Sequence, residues 1–213
     1  ALAIRDTHLS VHVDAISAGP DRVRPTIRRA MAMGADRGIH LAMEANGRPD
    51  PQAVALALAH YARQSNYDLI LTGAISEDLM QGITGPMVAA ALDRPCAAAA
   101  NEIGLDLGNR SLIVTCEMES GMAERVQLSL PALVTVQTGG NNPRYPSLSN
   151  TLRSRRQAIE QAMPPAAHTH HPAWEARGVA YAQQVSSCQV IEGTLVEKAD
   201  KMLQLFNDKG WLQ

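Results

Sequence analysis

Aromatic residues are scarce in this sequence and make up only 3% of its 213 residues. Hydrophobic residues of all kinds nevertheless make up 46%, which is enough for a sizeable core. That core must therefore be built from Ala, Leu, Val, Ile and Met. A chain of this length forms one large domain or one domain with appendages.

Cysteine is also scarce, and Cys96, Cys116 and Cys188 form no CxxC motif. Their odd number and wide spacing favour a reducing compartment over a disulfide framework. No apolar run approaches the roughly 18 residues that a membrane-spanning helix needs. The net charge of −2 gives no electrostatic reason to expect nucleic acid or an anionic membrane as a partner.

Several catalytic and metal-binding motifs are missing. The sequence has no GxGxxG of a dinucleotide fold, and neither Ser129 nor Ser147 lies in a GxSxG nucleophile elbow. His168, His170 and His171 stand in a segment rich in Pro and Ala without a nearby Cys or carboxylate, so we expect no metal site there. The sequence contains no complete hydrolytic or group-transfer site, which favours a carrier or binding role.

Strand-like and helix-like segments alternate through the first half of the chain. Such alternation predicts parallel βαβ units with right-handed crossovers, and therefore an α/β fold with a parallel sheet and crossover helices. Strands are predicted at 11–16, 39–43 and 67–72, a turn at 17–20, and helices at 22–33, 51–64 and 87–92. The last helix is opened by Thr84, Gly85 and Pro86, with the Thr84 hydroxyl as its cap.

The pattern becomes antiparallel after Pro95. Gly108-Asn109 and Ser120-Gly121 are hairpin signals between strand-like runs. We expect these strands to extend the parallel sheet, with the run at 133–136 rejoining it. The predicted strands are 96–103, 112–118, 125–130 and 132–137, followed by a turn-rich loop at 138–149 and a helix at 150–162.

The last part of the chain consists of an irregular arm at 163–189 and an amphipathic helix at 194–207. Compact domains seldom contain more than about 15 residues of irregular loop. The arm therefore either wraps a partner or is disordered. We divide the chain into an α/β domain at 1–162 and a C-terminal arm and helix at 163–213.

The first ten residues, ALAIRDTHLS, are typical of the tail of a helix. Sheets of the predicted kind normally open with a strand. We therefore expect a strand and part of a helix to precede Ala1.

The stretch from Tyr67 to Pro95 organises the first half of the chain. A short apolar run ends at Gly73, a polar loop follows, and Thr84 and Pro86 are typical of a helix N-terminus. Uncommitted amides and the positive end of the helix dipole favour a phosphate at such a point. The same residues also fit a plain strand-to-helix crossover, and the pattern alone leaves both interpretations open.

Four segments together resemble the β subunit of electron transfer flavoproteins. They are AMAMGADRGIHL, LILTGAISEDLMQGITGPMVAAALDRP, ESGMAERVQLSLPALVTVQTGGNNPRYPSLSN and VIEGTLVEKADKMLQLF. The most specific portion is LPALVTVQTGGNNPRYPSL, which follows the family's LPAVVT…NxPRYxxLxxI run. The resemblance covers most of 9–205 and is weakest across the arm.

The resemblance implies an adenine-nucleotide-binding, Rossmann-like α/β fold and a heterodimer with an α subunit. It also implies that FAD at the subunit interface, held mainly by the α subunit, accepts electrons from dehydrogenases and passes them to a quinone-linked acceptor. The β subunit would then bind AMP, or a second FAD in the bifurcating class. Such a protein is an electron carrier in the bacterial cytoplasm or an equivalent reducing matrix, and the resemblance leaves its status as an enzyme open.

The same resemblance implies a cofactor-binding set in the loop after the strand at 67–72. Gly82 and Ile83 depart from the family's usual Asn-Gln pair, and Leu79 and Met80 replace carboxylates. These departures remove side-chain donors, so a phosphate would depend on backbone amides, Thr84 and the helix dipole. The loop also lacks the Asp-Gly-Asp-Thr run of bifurcating relatives, which favours AMP or an empty site over a second FAD. The set is Ala18, Gly73, Ala74, Ile75, Ser76, Glu77, Asp78, Leu79, Met80, Gln81, Gly82, Ile83 and Thr84.

A second implied site is a recognition loop containing Arg144, Tyr145 and Leu148, through which the family docks on partner dehydrogenases. A proline-stiffened loop that exposes a leucine suits this role, because a preformed anchor loses little entropy on docking. Leu148 could instead form a hydrophobic staple for the helix predicted at 150–162. The segment at 163–213 has an aperiodic arm that ends in an amphipathic helix, and such a helix needs a surface to cover. We therefore expect this segment to pack on the α subunit.

A stand-alone nucleotide-binding module of the universal-stress type is the second interpretation of the whole chain. That interpretation predicts a self-sufficient monomer or homodimer without flavin. The sequence does not identify the donor dehydrogenase or the final acceptor.

Overall fold

The computed structural model describes residues 1–8, 10–43, 50–164, 181, 188 and 190–211. The chain forms two compact units, Ala1–Glu175 and Ala176–Gln213. Because each unit has its own internal packing, we describe them separately.

The first unit combines helices with two β-sheets. Its helices are α1 (Leu2–Thr7), α2 (Arg24–Met33), α3 (Pro51–Ser65), α4 (Thr84–Leu92) and α5 (Leu148–Arg156). Its strands are β1 (Asp14–Gly19), β2 (Arg37–Ala42), β3 (Leu69–Gly73), β4 (Cys96–Asp106), β5 (Ser111–Glu117), β6 (Ala123–Ser129), β7 (Ala132–Val136) and β8 (Glu160–Ala162).

The strands form one sheet of three and one sheet of five. The smaller sheet has the order β1-β2-β8 with parallel pairing throughout. The larger sheet has the order β3-β7-β4-β5-β6, in which β7 pairs parallel with both β3 and β4 and the remaining pairs are antiparallel. The predicted α/β fold is confirmed, including the return of the run at 133–136 to the parallel strands.

Helix α3 lies beneath both sheets. Asp50 caps its N-terminus by accepting a hydrogen bond from the Gln52 amide at 3.1 Å, and Asn66 ends it in the left-handed conformation. Its alanines allow close packing: Ala55 and Ala59 contact the cluster under the larger sheet, whereas Ala57 contacts the cluster under the smaller one. Helix α3 therefore packs against both sheets.

The core is aliphatic, as the scarcity of aromatic residues predicted. The buried hydrophobic side chains of the described residues are Ala, Leu, Ile, Val, Met and Cys. The largest cluster joins β4, β5 and β7 through Ala100, Leu112 and Val134. A second cluster packs α3 and α4 on Leu133 of β7.

Two predicted boundaries in the first unit are wrong. Strand β1 begins three residues later than predicted and continues through Gly19, so the turn expected at 17–20 starts only after the strand. Continued pairing of Gly19 with Ala42 of β2 explains the longer strand.

The helix predicted at 150–162 is also wrong, because α5 ends at Arg156 and 160–162 form β8 beside β2. The Arg28 side chain donates hydrogen bonds to the carbonyls of Ser154 and Gln157, the latter at 3.1 Å. These bonds satisfy carbonyl groups at the helix end, so the chain can leave the helix and extend.

The second unit contains helix α6 (Leu195–Asp208), which confirms the predicted terminal helix. Thr194 and Glu197 form a reciprocal capping box, with the Thr194 amide donating to Glu197 Oε2 at 2.7 Å. The predicted arm lies mostly outside the described residues, as do His168, His170 and His171.

Three polar side chains, Asp14, Arg37 and Tyr67, connect the two sheets at the amino ends of β1 and β3. We call this group the polar latch. The Tyr67 hydroxyl donates to Asp14 Oδ2 at 2.8 Å, and Arg37 Nη2 donates to the same oxygen at 2.6 Å. Burial alone would raise the pKa of Asp14, but the hydrogen bonds from Arg37 and Tyr67 outweigh it and lower that pKa. Burial and the bond to Asp14 raise the pKa of Tyr67.

Replacing Tyr67 with Phe should destabilise the protein by about 1 kcal/mol, because the Asp14 carboxylate loses one donor. That loss corresponds to a melting temperature lower by about 2–4 °C at neutral pH. The matched control is Tyr145→Phe, whose exposed hydroxyl makes no such bond and should be neutral.

The same latch predicts a pH dependence of the free energy of unfolding. The lowered pKa of Asp14 gives stability above about pH 4 that is lost as the pH falls. The raised pKa of Tyr67 gives stability below about pH 10 that is lost as the pH rises. Denaturant titrations should therefore show a steeper alkaline decline for the wild type than for Tyr67→Phe, and equal slopes would contradict the latch.

Candidate functional site

The loop between β3 and α4 lies at the carboxyl ends of three parallel strands, β3, β7 and β4. The Ala74 amide donates to the Val136 carbonyl at 3.0 Å and so continues the β3–β7 ladder into the loop. Open α/β sheets bind ligands at this end of their strands. The position therefore agrees with the predicted site.

Ser76 organises the loop from within. Its amide donates to the Gln81 carbonyl at 3.0 Å, and its carbonyl accepts from the Met80 amide at 2.8 Å. Its hydroxyl also accepts from the Gln81 amide at 3.4 Å. The loop is therefore held in one shape by its own hydrogen bonds.

Gly82 is one of the four departures from the pattern of the family that the sequence resembles, and the structure gives it a physical reason. A Cβ at this position would lie 2.7 Å from the Ala74 carbonyl oxygen. Such an approach leaves no room for a side chain, so the asparagine usual in the family would not fit this loop shape. The departure removes an amide side chain but also permits a tighter loop.

Helix α4 begins at Thr84, which corrects the expectation that Thr84 is its cap. The N-cap is Ile83, and no side chain bonds to the helix N-terminus. Pro86 has no N–H, and the Met87 amide already donates to the Ile83 carbonyl at 3.0 Å. Among the described residues, none accepts a hydrogen bond from the amides of Thr84 and Gly85.

Gly85 brings this helix end directly onto the sheet. A Cβ on Gly85 would lie 2.4 Å from Thr72 Oγ1 and 2.6 Å from Thr135 Cγ2. Thr72 belongs to β3 and Thr135 to β7, so the helix crosses both strands without a side chain between them. The two uncommitted amides are fixed relative to the sheet by this contact.

A cleft of about 480 Å³ runs from this loop along β3. The predicted residues that line it are Gly73, Ala74, Ile75, Ser76, Gln81, Gly82 and Thr84. Those that do not line it are Ala18, Glu77, Asp78, Leu79, Met80 and Ile83. Strand β1 reaches the cleft through Asp14 and Ile16 instead of Ala18.

Two buried polar atoms lie at the cleft, and sequence reasoning missed one of the two residues, Thr72. Thr72 Oγ1 and Gln81 Oε1 have no hydrogen-bond partner among the described residues. Both residues also line the cleft. A hydroxyl residue at the end of a buried apolar strand is the one signal that could have indicated Thr72.

Sequence reasoning also left His40 without a specific role. Its side chain is fully buried on β2, and its Nε2 lies 2.8 Å from the Gly19 carbonyl oxygen. The contact fixes the carboxyl end of β1. His40 therefore links β2 to the end of β1.

Comparison with known proteins identifies the family. A family model described as "Electron transfer flavoprotein domain" matches residues 1–167. The chain is 40% identical over 169 residues to the human "Electron transfer flavoprotein subunit beta", covering 77% of this chain and 64% of the relative. It is 29% identical over 204 residues to the subunit of the same name from Methylophilus methylotrophus, covering 93% and 77% respectively.

The chain belongs to the electron transfer flavoprotein β subunit family. The subunit of the same name from Bacillus subtilis is 30% identical over 162 residues, covering 76% of this chain and 62% of the relative. The chain thus spans under two thirds of the human and Bacillus relatives. The description of this family names electron transfer by a flavoprotein.

The predicted recognition loop of this chain is well exposed. Tyr145 is 90% exposed and Leu148 is 77% exposed. The Ser147 side chain caps α5 by accepting from the Asn150 amide at 3.2 Å, so Leu148 is the first helical residue. In a hydrophobic staple, the apolar residue precedes the N-cap. Leu148 follows the N-cap, so this geometry argues against the staple. Arg144 forms an ion pair with Asp6 of α1.

Two negative findings apply to the described part of this chain. There, no group of three or more His, Cys, Asp and Glu side chains could hold a metal ion. In the same residues, no helix has the length and apolarity needed to cross a membrane.

Replacing Gly85 with Ala should destabilise the protein by about 1–3 kcal/mol, because the added methyl group overlaps Thr72 and Thr135. Gly73→Ala is the matched control, since a Cβ there meets nothing within 4 Å. Thermal unfolding of both variants measures the difference. If Gly85→Ala were as stable as Gly73→Ala, α4 would not lie against the sheet as described.

Proposed function

We propose that this chain is the β subunit of a heterodimeric electron transfer flavoprotein and that its β3–α4 loop binds the phosphate of a structural AMP. The observation that carries the AMP site is the pair of uncommitted amides, Thr84 and Gly85, at an N-terminus fixed on the sheet. Amides in this position attract an anion through hydrogen bonds and the helix dipole.

The residues that would hold the phosphate are the amides of Thr84 and Gly85 together with the Thr84 hydroxyl. Thr84 lines the cleft, so its hydroxyl is available to a ligand. Glu77 and Asp78 are exposed on the same loop, and their charges disfavour additional phosphates. The attraction of the amides and the repulsion by the two carboxylates together favour AMP, with its single phosphate, over ATP. The adenine would lie toward the end of β1 near Ala18.

The family's flavin, FAD, would lie at the interface with the α subunit and would be held mainly by that subunit. When bound, FAD supplies the capacity to accept electrons from a dehydrogenase and to pass them to a quinone-linked acceptor. The role of this chain would be to position its partner subunit and the nucleotide. The described loop contains no nucleophile paired with a base, which suits a carrier better than an enzyme with its own substrate.

We assign two surfaces of this chain to partners. The exposed Tyr145 and Leu148 suit docking on a dehydrogenase, because a rigid apolar anchor gives affinity at low entropic cost. Helix α6 exposes Leu195, Val196, Met202 and Leu203, and we assign this surface, with the arm at 163–189, to the α subunit. A reducing compartment, such as the bacterial cytoplasm, suits the free cysteines.

The nucleotide content of the purified αβ complex tests the AMP site. Denaturation followed by chromatography should release AMP at about one equivalent beside FAD. Two equivalents of FAD would move the protein to the bifurcating class, and FAD alone would contradict the AMP site.

The Thr84→Val variant tests the assigned hydroxyl. It keeps the side-chain shape, and we expect a loss of AMP affinity of about 1–3 kcal/mol if the hydroxyl bonds the phosphate. Titration of AMP into nucleotide-free complex measures the affinity. Thr26→Val, on the exposed surface of α2, is the control and should bind AMP normally.

Leu148→Ala tests the docking surface. The variant should slow flavin reduction by the partner dehydrogenase while its melting temperature stays within about 1 °C, because an exposed side chain contributes little to stability. Leu107→Ala, at another exposed leucine, should leave the rate unchanged. An unchanged rate for Leu148→Ala together with a large fall in melting temperature would assign Leu148 a structural role.

A further inference from the structure

Arginines are concentrated on two neighbouring helices of the first unit, α2 and α5. Arg28 of α2 donates hydrogen bonds to the carbonyls of Ser154 and Gln157, the latter at 3.1 Å, and so joins α2 to the end of α5. The two helices and the short turn before α2 together carry seven of the chain's 19 Lys and Arg residues. We call this group the arginine patch, and its members are Arg22, Arg24, Arg28, Arg29, Arg153, Arg155 and Arg156.

The arginine patch has little compensating negative charge. Asp21 is the one acidic residue in the segments 21–33 and 148–156. Its carboxylate lies 3.7 Å from the guanidinium of Arg24. In the described part of the chain, no other patch arginine has a carboxylate within ion-pair distance. The low net charge of the chain therefore conceals a local excess of positive charge.

Helix stability accounts for only part of this charge. Arg153, Arg155 and Arg156 lie in the last turn of α5, where the negative end of the helix dipole favours cations. Arg24 instead begins α2, at the positive end of that helix dipole. Arg24 and Arg28 are also like charges one turn apart, which destabilises a helix. The charges on α2 therefore oppose helix formation, which indicates a role outside the fold.

Helix α5 exposes an apolar side chain among these arginines. Ser154 is buried, so the opposite side of α5 faces outward. Leu152 is 47% exposed, and Arg155 and Arg156 follow it by three and four residues, so they lie close to it on the helix surface. An exposed leucine beside arginines is typical of a helix that lies in the headgroup layer of a membrane. There the arginine stems extend to the phosphates while the leucine contacts acyl chains.

We propose that the arginine patch binds the surface of an anionic phospholipid membrane, with α5 lying in the headgroup layer. Guanidinium groups suit this surface, because each can donate two parallel hydrogen bonds to the oxygens of a phosphate. A cluster of about four to eight basic residues is typical of such binding. The contact is peripheral and needs no membrane-spanning helix.

Two other anionic partners fit the arginine patch less well. A nucleic acid backbone offers phosphates but no apolar layer for Leu152. An acidic protein presents its carboxylates at fixed positions, whereas a fluid headgroup layer adapts to guanidinium groups that come from two helices. Leu148, which we assign to dehydrogenase docking, begins the same helix, so the dehydrogenase and the membrane would bind in turn and not together.

Co-sedimentation with lipid vesicles tests the proposal on the purified full chain. The protein should bind vesicles of phosphatidylcholine that contain about 30% phosphatidylglycerol, and it should not bind vesicles of phosphatidylcholine alone. Binding should be largely lost at about 0.5 M NaCl, because salt screens exposed charges. Failure to bind the anionic vesicles at about 0.1 M NaCl would overturn the proposal.

A triple variant locates the binding surface. Arg153→Gln/Arg155→Gln/Arg156→Gln should weaken binding to the anionic vesicles by about 100-fold, because each arginine near such a surface contributes about fivefold. Glutamine keeps the helix propensity of arginine, so α5 should still form. Arg28 is left in place because it bonds to the end of α5.

A second triple variant, with the same change in net charge at exposed arginines outside the patch, is the matched control. It is Arg63→Gln/Arg110→Gln/Arg125→Gln. The control should bind the anionic vesicles nearly as well as the wild type. Equal weakening by the two triple variants would overturn the proposal, because binding would then depend on net charge alone. Absence of vesicle binding together with slower flavin reduction in the patch variant would also overturn it and would assign the patch to the dehydrogenase.

The orientation of α5 has its own test. Leu152→Ser should weaken binding to the anionic vesicles by about fivefold, because the leucine no longer enters the apolar layer. Leu107→Ser, at a leucine of similar exposure outside the patch, should leave the binding unchanged. Equal binding by the two leucine variants would contradict the placement of α5 in the headgroup layer.

Discussion

The parallel pairing of β7 with both β3 and β4 is the constraint on which the site depends. Val136 at the end of β7 accepts from the first loop amide, and Thr135 lies under Gly85 at the start of α4. Thr135 also accepts from the Ala99 amide of β4 at 2.8 Å. One strand therefore fixes the loop, the helix N-terminus and the neighbouring strand relative to one another.

This constraint explains how a site with few polar side chains could bind an anion. Its donors are backbone amides whose positions are set before a ligand arrives, so binding does not require the loop to be ordered. Ser76 holds the loop closed, and Gly82 permits its close approach to Ala74. The departures from the family pattern thus reduce side-chain donors and leave the helix N-terminus accessible.

The regular features of the fold were predictable from the sequence, because they depend on local patterns. Alternating segments indicated the βαβ units, and Gly108-Asn109 indicated the β4–β5 hairpin. Strand β8 was not predictable, because its three residues follow a helix and are extended only through pairing with β2. The candidate site was proposed from its strand–loop–helix pattern, whereas the cleft-lining position of Ile16 depends on tertiary packing that no local pattern contains.

The central claim is that this chain works as one half of a flavin-carrying heterodimer. Co-expression with the α subunit, followed by purification through a tag on this chain alone, tests it most directly. The account predicts a one-to-one complex with the visible absorption of flavin, which a partner dehydrogenase bleaches in the presence of its substrate. A colourless monomer or homodimer that excludes the α subunit would contradict the account and would favour a stand-alone nucleotide-binding module.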